Sequence, residues 1–334
     1  MTFIIAELSA NHNHLLDMAK KTILAAKNAG ADAVKLQTYT ADTITMASDK
    51  EWFKIRGGLW DGYFLHDLYT EAYTPWEWHA ELFEYARSIG LDIFSSPFDF
   101  TAVDFLERFE PSHYKIASFE IGDIPLIEYA ASKGRPMIIS TGIAELSDIE
   151  MAVRACRRMN NHKITLLKCT SSYPAPIEEA NLLTIPNMRE TFGVDVGLSD
   201  HTMGSSVAIA SVALGASVIE KHFILDRELS GPDSSFSMEP SEFSLMVKSI
   251  REVESALGEV TYELSEKVKQ SKVFARSLFV VENVSAGEKI SSKNVRSIRP
   301  GNGLHPKYYH EVMEQHFTRD IEKGTPLDWT MVVR

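Results

Sequence analysis

Short apolar runs recur along the first 260 or so positions, and each is followed by a segment with apolar residues at helical spacing. The runs at 4–7, 33–37, 91–94, 114–117, 136–140, 164–168, 194–197 and 217–220 read as strands. Helical patterns follow at 15–28, 74–88, 101–108, 125–132, 147–159, 205–215 and 242–257, with a weaker one after Asn181. Gly30 punctuates the first helix, Thr74-Pro75-Trp76-Glu77 reads as a helix start, and Ser147 with Glu150 as a capping box. Continuous apolar strands alternating with helices imply a parallel sheet buried on both faces. Eight such units predict an α/β fold, a closed (β/α)8 TIM barrel over residues 1–258. A doubly wound open sheet is the alternative, but no glycine-rich dinucleotide turn follows the first strand. Residues 40–72 interrupt the alternation with a long aromatic excursion (Trp52, Phe53, Trp60, Tyr63, Phe64, Tyr69). Its aromatics either cover the barrel or contact a ligand.

Past residue 258 the pattern changes. Residues 259–275 read as a charged linker, and 276–334 as a small second domain. That domain has strand-like runs at Leu278–Val281 and Trp329–Val332 and glycine turns between them. The 334 residues carry 34 basic and 46 acidic side chains, a net charge of −12, which argues against nucleic acid as a partner. An anionic substrate therefore needs a local basic site. No apolar run reaches membrane-spanning length, and the first residues lack the basic start of a signal peptide. Cys156 and Cys169 are the only cysteines. A reduced, cytoplasmic protein that does not engage membranes is expected.

In a (β/α)8 barrel the C-terminal strand ends form the active-site mouth, so the residues there are candidates. They include Glu7, Lys35, Gln37, Ser96, Lys115, Ser118, Glu120, Ser140, Lys168, Cys169, Ser171, Tyr173, Ser199, His201, Glu220 and His222. Lys35 and Lys115 with the hydroxyls of Ser96, Ser118, Ser140, Ser171 and Ser199 suggest a basic, donor-rich cradle for phosphate. His201 and His222, at the seventh and eighth strand ends, suggest a divalent metal with open positions. Glu7, Glu120 and Asp233 are carboxylates able to bind hydroxyls or move protons. Other readings stay open. Lys115 or Lys168 could form the Schiff base of an aldolase, and the barrel could be a non-catalytic sugar-binding protein. Cys169 reads as a packing thiol with no histidine predicted beside it, and His12, His113 and His305 as structural.

Several blocks in order carry a resemblance over nearly the whole chain: Ile5-Ala-Glu7 with Asn11-His12-Asn13, Val34-Lys-Leu-Gln37, Phe94-Ser-Ser-Pro-Phe98, Tyr114-Lys-Ile-Ala-Ser118, Ser140-Thr-Gly142, Cys169-Thr-Ser-Ser-Tyr-Pro174, Gly197-Leu-Ser-Asp-His201, Glu220-Lys-His-Phe223, Gly231-Pro-Asp233 and Arg299-Pro-Gly-Asn-Gly303. They resemble the sialic-acid synthase family, whose members condense phosphoenolpyruvate with an amino sugar to a nine-carbon 2-keto acid. The resemblance implies a barrel followed by an antifreeze-like (SAF) domain, in a domain-swapped homodimer whose small domain covers the partner's barrel. It implies Mn2+, or Mg2+ or Co2+, on His201 and His222. It implies phosphoenolpyruvate on Lys35, Ser96, Lys115, Ser118, Ser140, Ser171 and Ser199. It implies sugar contacts from Glu7, Gln37, Glu120, Tyr173, Asp233, Phe274 and, from the partner chain, Arg299. Glu120 or Glu7 would move the proton.

Ala6-Glu-Leu-Ser-Ala-Asn11, Gly58-Leu-Trp-Asp-Gly62 and Leu167-Lys-Cys-Thr-Ser171 resemble the pseudaminic branch, which takes a 2,4-diacetamido-2,4,6-trideoxy-altrose. N-acetylneuraminate or legionaminate synthesis from an N-acetylmannosamine-type sugar is the alternative. Against the neuraminate branch, Lys168 replaces a histidine, Ser96 a threonine and His14 a glycine.

Overall fold

A computed structural model describes residues 1–333, and the chain divides into two compact units, Met1–Gly258 and the residues from Glu259 onward. In the first, β1 (Phe3–Glu7), β2 (Ala33–Thr38), β3 (Asp92–Pro97), β4 (Tyr114–Ile116), β5 (Met137–Ser140), β6 (Ile164–Cys169), β7 (Asp195–Asp200) and β8 (Val218–His222) pair in sequence order. All pairings are parallel, and β8 returns to β1 with Glu7 beside His222. The helices are α1 (Leu16–Asn28), α2 (Ala41–Ile44), α3 (Leu65–Ala72), α4 (His79–Ser88), α5 (Phe100–Glu107), α6 (Ile124–Ser132), α7 (Leu146–Arg158), α8 (Thr184–Phe192), α9 (Ser206–Ala213) and α10 (Pro240–Leu257).

Strand alternation sorts the side chains into two cores. One set, including Ile4, Ala6, Val34, Leu36, Ile93, Tyr114, Ile116, Ile139, Leu166, Val196 and Ile219, packs under the helices. The other, Ile5, Ala33, Phe94, Ile138, Leu167 and Val218, forms a separate plug inside the barrel. Two residues further along each of these strands, the same inward face carries Glu7, Lys35, Ser96, Ser140, Cys169 and Glu220. A polar layer therefore sits directly on an apolar floor. Gly197 belongs to the plug: a Cβ there would overlap the Val218 carbonyl and lie 2.8 Å from Leu167 Cδ2.

Some local expectations shift. The segment at Thr74 opens with a 3-10 turn (Trp76–Trp78) before α4, and Thr74 is buried with its hydroxyl 3.2 Å from His12 Nε2 instead of capping the helix. α7 is capped by Glu145 and Asp148, whose carboxylate accepts from Glu145 N at 2.9 Å, rather than by Ser147 and Glu150.

The second unit holds a two-stranded antiparallel sheet, β9 (Ser277–Val280) and β10 (Val295–Ile298), and two short helices, α11 (Glu266–Gln270) and α12 (Tyr309–Val312). Its core gathers Leu278, Val280, Val295, Val312, Phe317 and Leu327. The expected linker thus carries helix α11 and a 3-10 turn, Ser271–Phe274. The expected strand at 329–332 is a 3-10 turn, Trp329–Met331, with Val332 bridging to Phe317. Among the described residues no helix is long and apolar enough to cross a membrane.

Candidate active site

The polar layer opens into a cavity of about 510 Å3 at the C-terminal ends of the strands. That volume lies within the usual range for small-molecule sites. Its lining includes Glu7, Lys35, Gln37, Lys115, Ser118, Glu120, Ser140, Tyr173, Ser199, His201, His222 and Asp233, all expected from the sequence. Ser96 sits just beneath, fully buried, and accepts from Lys35 Nζ at 3.3 Å. Ser171 joins through its hydroxyl, 2.7 Å from that of Ser118. Phe274 and Arg299 belong to the second unit, where Phe274 is exposed.

The expected basic cradle is in fact charge-balanced, and Glu220 is the reason. Its Oε1 accepts from Lys115 Nζ at 3.0 Å and from Ser199 Oγ at 3.2 Å, with Lys35 Nζ at 3.7 Å. Lys35 also pairs with Glu7 at 2.7 Å. Burial penalises the Glu220 carboxylate, but the two ammonium groups outweigh it and hold Glu220 well below the usual carboxylate range. Burial likewise lowers Lys115, against the pull of Glu220. Burial pushes Glu7 up, against the pull of Lys35. Glu220, expected among the strand-end residues, faces the cavity from the same strand face as His222, two residues away; its pairing with both lysines was not expected.

Several buried polar atoms here have no protein partner: Ser140 Oγ, Glu120 Oε2, Glu220 Oε2 and His222 Nδ1. Such atoms are costly unless something else satisfies them. Burial raises Glu120 to about 7, with Lys115 opposing and Asp123 adding to the rise.

His201 and His222 stand with ring centroids 5.4 Å apart. His201 Nδ1 lies 3.0 Å from the Thr170 carbonyl; donating there leaves the Nε2 lone pair free. Asp233 Oδ2 is 3.9 Å from His222 Nδ1. Burial, and the positive groups around it, keep His222 far below its ordinary value, so its imidazole is neutral. Burial disfavours the charged form of His201, but Cys169 and the Thr170 carbonyl outweigh it and raise the group, so a cation there would displace a proton. Two imidazoles beside oxygen donors fit a divalent cation with most positions open. Among the described residues no group of three or more histidines, cysteines or carboxylates is arranged around one metal position. Such a cation would depend on oxygens from substrate and water.

Other expectations are corrected or explained. Cys169 does have a histidine neighbour, with Sγ 3.8 Å from His201 Nδ1. Lys168 points away from the cavity and donates to its neighbour's carbonyl, Cys169 O, at 2.9 Å. The Asn11–His14 block is a bracket. Asn11 Nδ2 donates to Phe223 O at 3.0 Å and Ser237 Oγ at 2.8 Å, and Asn13 Nδ2 to Leu229 O at 2.9 Å. These bonds tie the first strand's exit to the loop that carries Asp233. His14 has φ +50°, the left-handed region that suits glycine, and its Nε2 bonds Glu71 O at 2.8 Å. His12 is fully buried, as a structural histidine should be, and burial lowers it to about 4.

Comparison with known proteins agrees with this architecture. The NeuB family matches residues 22–262 and the SAF domain residues 275–333. The chain is 50% identical to the pseudaminic acid synthase of Helicobacter pylori, covering 97% of this chain and 96% of that protein. It is 49% identical to the pseudaminic acid synthase of Campylobacter jejuni, covering 97% and 95%. Among solved structures, the spore coat polysaccharide biosynthesis protein SpsE of Bacillus subtilis superposes with a TM-score of 0.67 at 34% identity, covering 100% of this chain and 95% of that one. With its strand-end cavity, its paired lysines and a SAF domain following the barrel in sequence, this chain belongs to the NeuB family.

Proposed function

We propose that the chain is a pseudaminic acid synthase. It condenses phosphoenolpyruvate with 2,4-diacetamido-2,4,6-trideoxy-altrose and releases phosphate by C–O cleavage. One observation carries the reading: two buried lysines, a set of hydroxyls and several unpartnered polar atoms converge in one cavity at the strand ends. The pseudaminic acid synthases among its relatives set the choice of sugar.

Lys35 and Lys115 take the phosphate and carboxylate charges, with Ser96, Ser118, Ser140, Ser171 and Ser199 donating around them. Glu220 holds both ammonium groups at the cavity floor before the substrate arrives. Gln37, Tyr173 and Asp233 face the sugar. The methylene carbon of phosphoenolpyruvate bonds to the sugar's C1, water adds at the enol carbon, and the bridging oxygen leaves with phosphate. Glu120, neutral in much of its population near pH 7, exchanges the proton with the aldehyde oxygen or the water. His201 and His222 would hold a divalent cation, Mn2+ first among candidates, and it would supply Lewis-acid polarisation of the aldehyde. Phe274 and, from a partner chain in a domain-swapped homodimer, Arg299 complete the sugar site on the family resemblance.

Phosphoenolpyruvate labelled with oxygen-18 at the bridging position should deliver the label to phosphate; label in the keto acid would overturn the mechanism. Dialysis against a chelator should abolish turnover and Mn2+ should restore it. Paramagnetic resonance should show Mn2+ bound to the wild type and lost from His201→Ala and His222→Ala. Unchanged Mn2+ binding in both variants would remove the histidines from that role.

A further inference from the structure

The cavity has two unlike ends. Its floor is the charged layer, whereas the side built by the β2-to-β3 connection is apolar, lined by Ile44, Ile55, Leu65, Leu68 and Ala72. Leu65, Leu68 and Ala72 recur at helical spacing and so share one face of α3. The other face carries His66, whose Nε2 is 3.0 Å from Asp42 on α2. Ile55 lies in a small hairpin, with Ile55 N donating to Tyr63 O at 2.8 Å and Gly62 N to Ile55 O at 3.0 Å. The hairpin is pinned to the loop after β8 by Trp60 Nε1, which donates to Pro232 O at 3.1 Å. The wall is therefore a built surface, fixed beside the loop that carries Asp233. On that side the cavity is also lined by Tyr39 and Tyr69, rings 5.6 Å apart, the latter on the same face of α3 as Leu65 and Ala72.

Carbon–carbon bond formation fixes the sugar's C1 at the charged floor. Its far end then extends toward the wall. We propose that the wall selects the deoxygenated, N-acetylated end of the sugar. The apolar side chains receive the C6 methyl and the C4 acetamido methyl, and a C6 hydroxyl is disfavoured because it would give up water for aliphatic contact there. This rests on the reading of the site as a synthase for a diacetamido-trideoxy sugar. A hydrophobic pocket discriminates against an added hydroxyl by about a hundredfold at most, so the preference should be graded rather than absolute.

The test is phosphate-release kinetics for the wild type, Leu65→Asn and Leu68→Asn. Each is run with the 2,4-diacetamido-6-deoxy sugar, its 6-hydroxy counterpart and N-acetylmannosamine. The wild type should prefer the 6-deoxy sugar by about 10- to 100-fold in kcat/KM. Each variant should narrow that ratio by at least about threefold, since the new amide offers the hydroxyl a partner and costs the methyl its apolar contact. A wild-type ratio below about 3, or a ratio unchanged in whichever variant still turns over, would overturn the wall's role while leaving the synthase reading intact. Turnover of N-acetylmannosamine alone by the wild type would overturn that reading, and the wall's role with it.

Discussion

Replacing Glu120 with glutamine should make the protein more stable at neutral pH and much less active. Glu120 ends the 3-10 turn after β4 (Ser118–Glu120), with Oε2 sealed from solvent and unpartnered. Burial lifts its carboxyl from 4.5 to about 7. A folded-state value above the unfolded one means that folding favours the proton. The group's stabilising contribution is fully present below pH 4.5 and is lost as pH rises through 7. The loss amounts to up to about 3 kcal/mol, at no more than about 1.4 kcal/mol per pH unit. Glutamine stays neutral throughout. Glu120→Gln should therefore match the wild type near pH 4.5 and exceed its stability by up to about 3 kcal/mol near pH 8. Urea unfolding at half-unit steps from about pH 5 to about pH 8 reads this difference, followed by the fluorescence of Trp52, Trp60, Trp76 and Trp78, all in the barrel unit. Parallel stability curves would refute the buried-proton argument. Phosphate release should fall by about 10²- to 10⁴-fold if Glu120 transfers the proton. Stability gained with activity kept would take Glu120 out of the chemistry.

Two glycines give sharper steric tests. A Cβ at Gly142 would overlap Ser171 Oγ and lie 3.1 Å from Cys169 Sγ. Gly142→Ala should break the pairing of Ser171 with Ser118 and raise the KM for phosphoenolpyruvate by about tenfold with little change in melting temperature; an unchanged KM would count against these hydroxyls as phosphate donors. Gly197→Ala meets backbone rather than a rotatable side chain, so it should destabilise the barrel by about 3 kcal/mol or more, and a melting temperature close to wild type would show that β7 and β8 can separate more easily than their packing implies.

The barrel was readable because its strands are continuous apolar runs whose tips turn polar, and period-two alternation alone stacks Ile5 under Glu7 and Val218 under Glu220. The two histidines, both lysines and the serines could be placed for the same reason. The state of the lysines could not. Whether Lys35 and Lys115 stand free or paired depends on the register that sets Glu7 beside Lys35 on the next strand and on Glu220 reaching Lys115 across the barrel, a matter of three-dimensional distance. His201 meeting Cys169 was hidden likewise, because the two lie on adjacent strands at positions that only the register brings together. Thr74 looked like a cap from its neighbours, yet tertiary contact with His12 claimed its hydroxyl. The block around Asn11 was legible only as part of the family resemblance; its hydrogen bonds run to backbone and to Ser237, so its task is to hold a loop.

The apolar wall comes from one connection, residues 39–74, while the charged floor is drawn from strands spread around the whole barrel. Inheritance can therefore act on the two separately. Insertions and substitutions within that single stretch can retune which sugar is accepted while every charged residue of the floor stays in register, so relatives with different substrates can diverge there first. A chimera exchanging only this stretch would carry its donor's preference on an unaltered catalytic barrel.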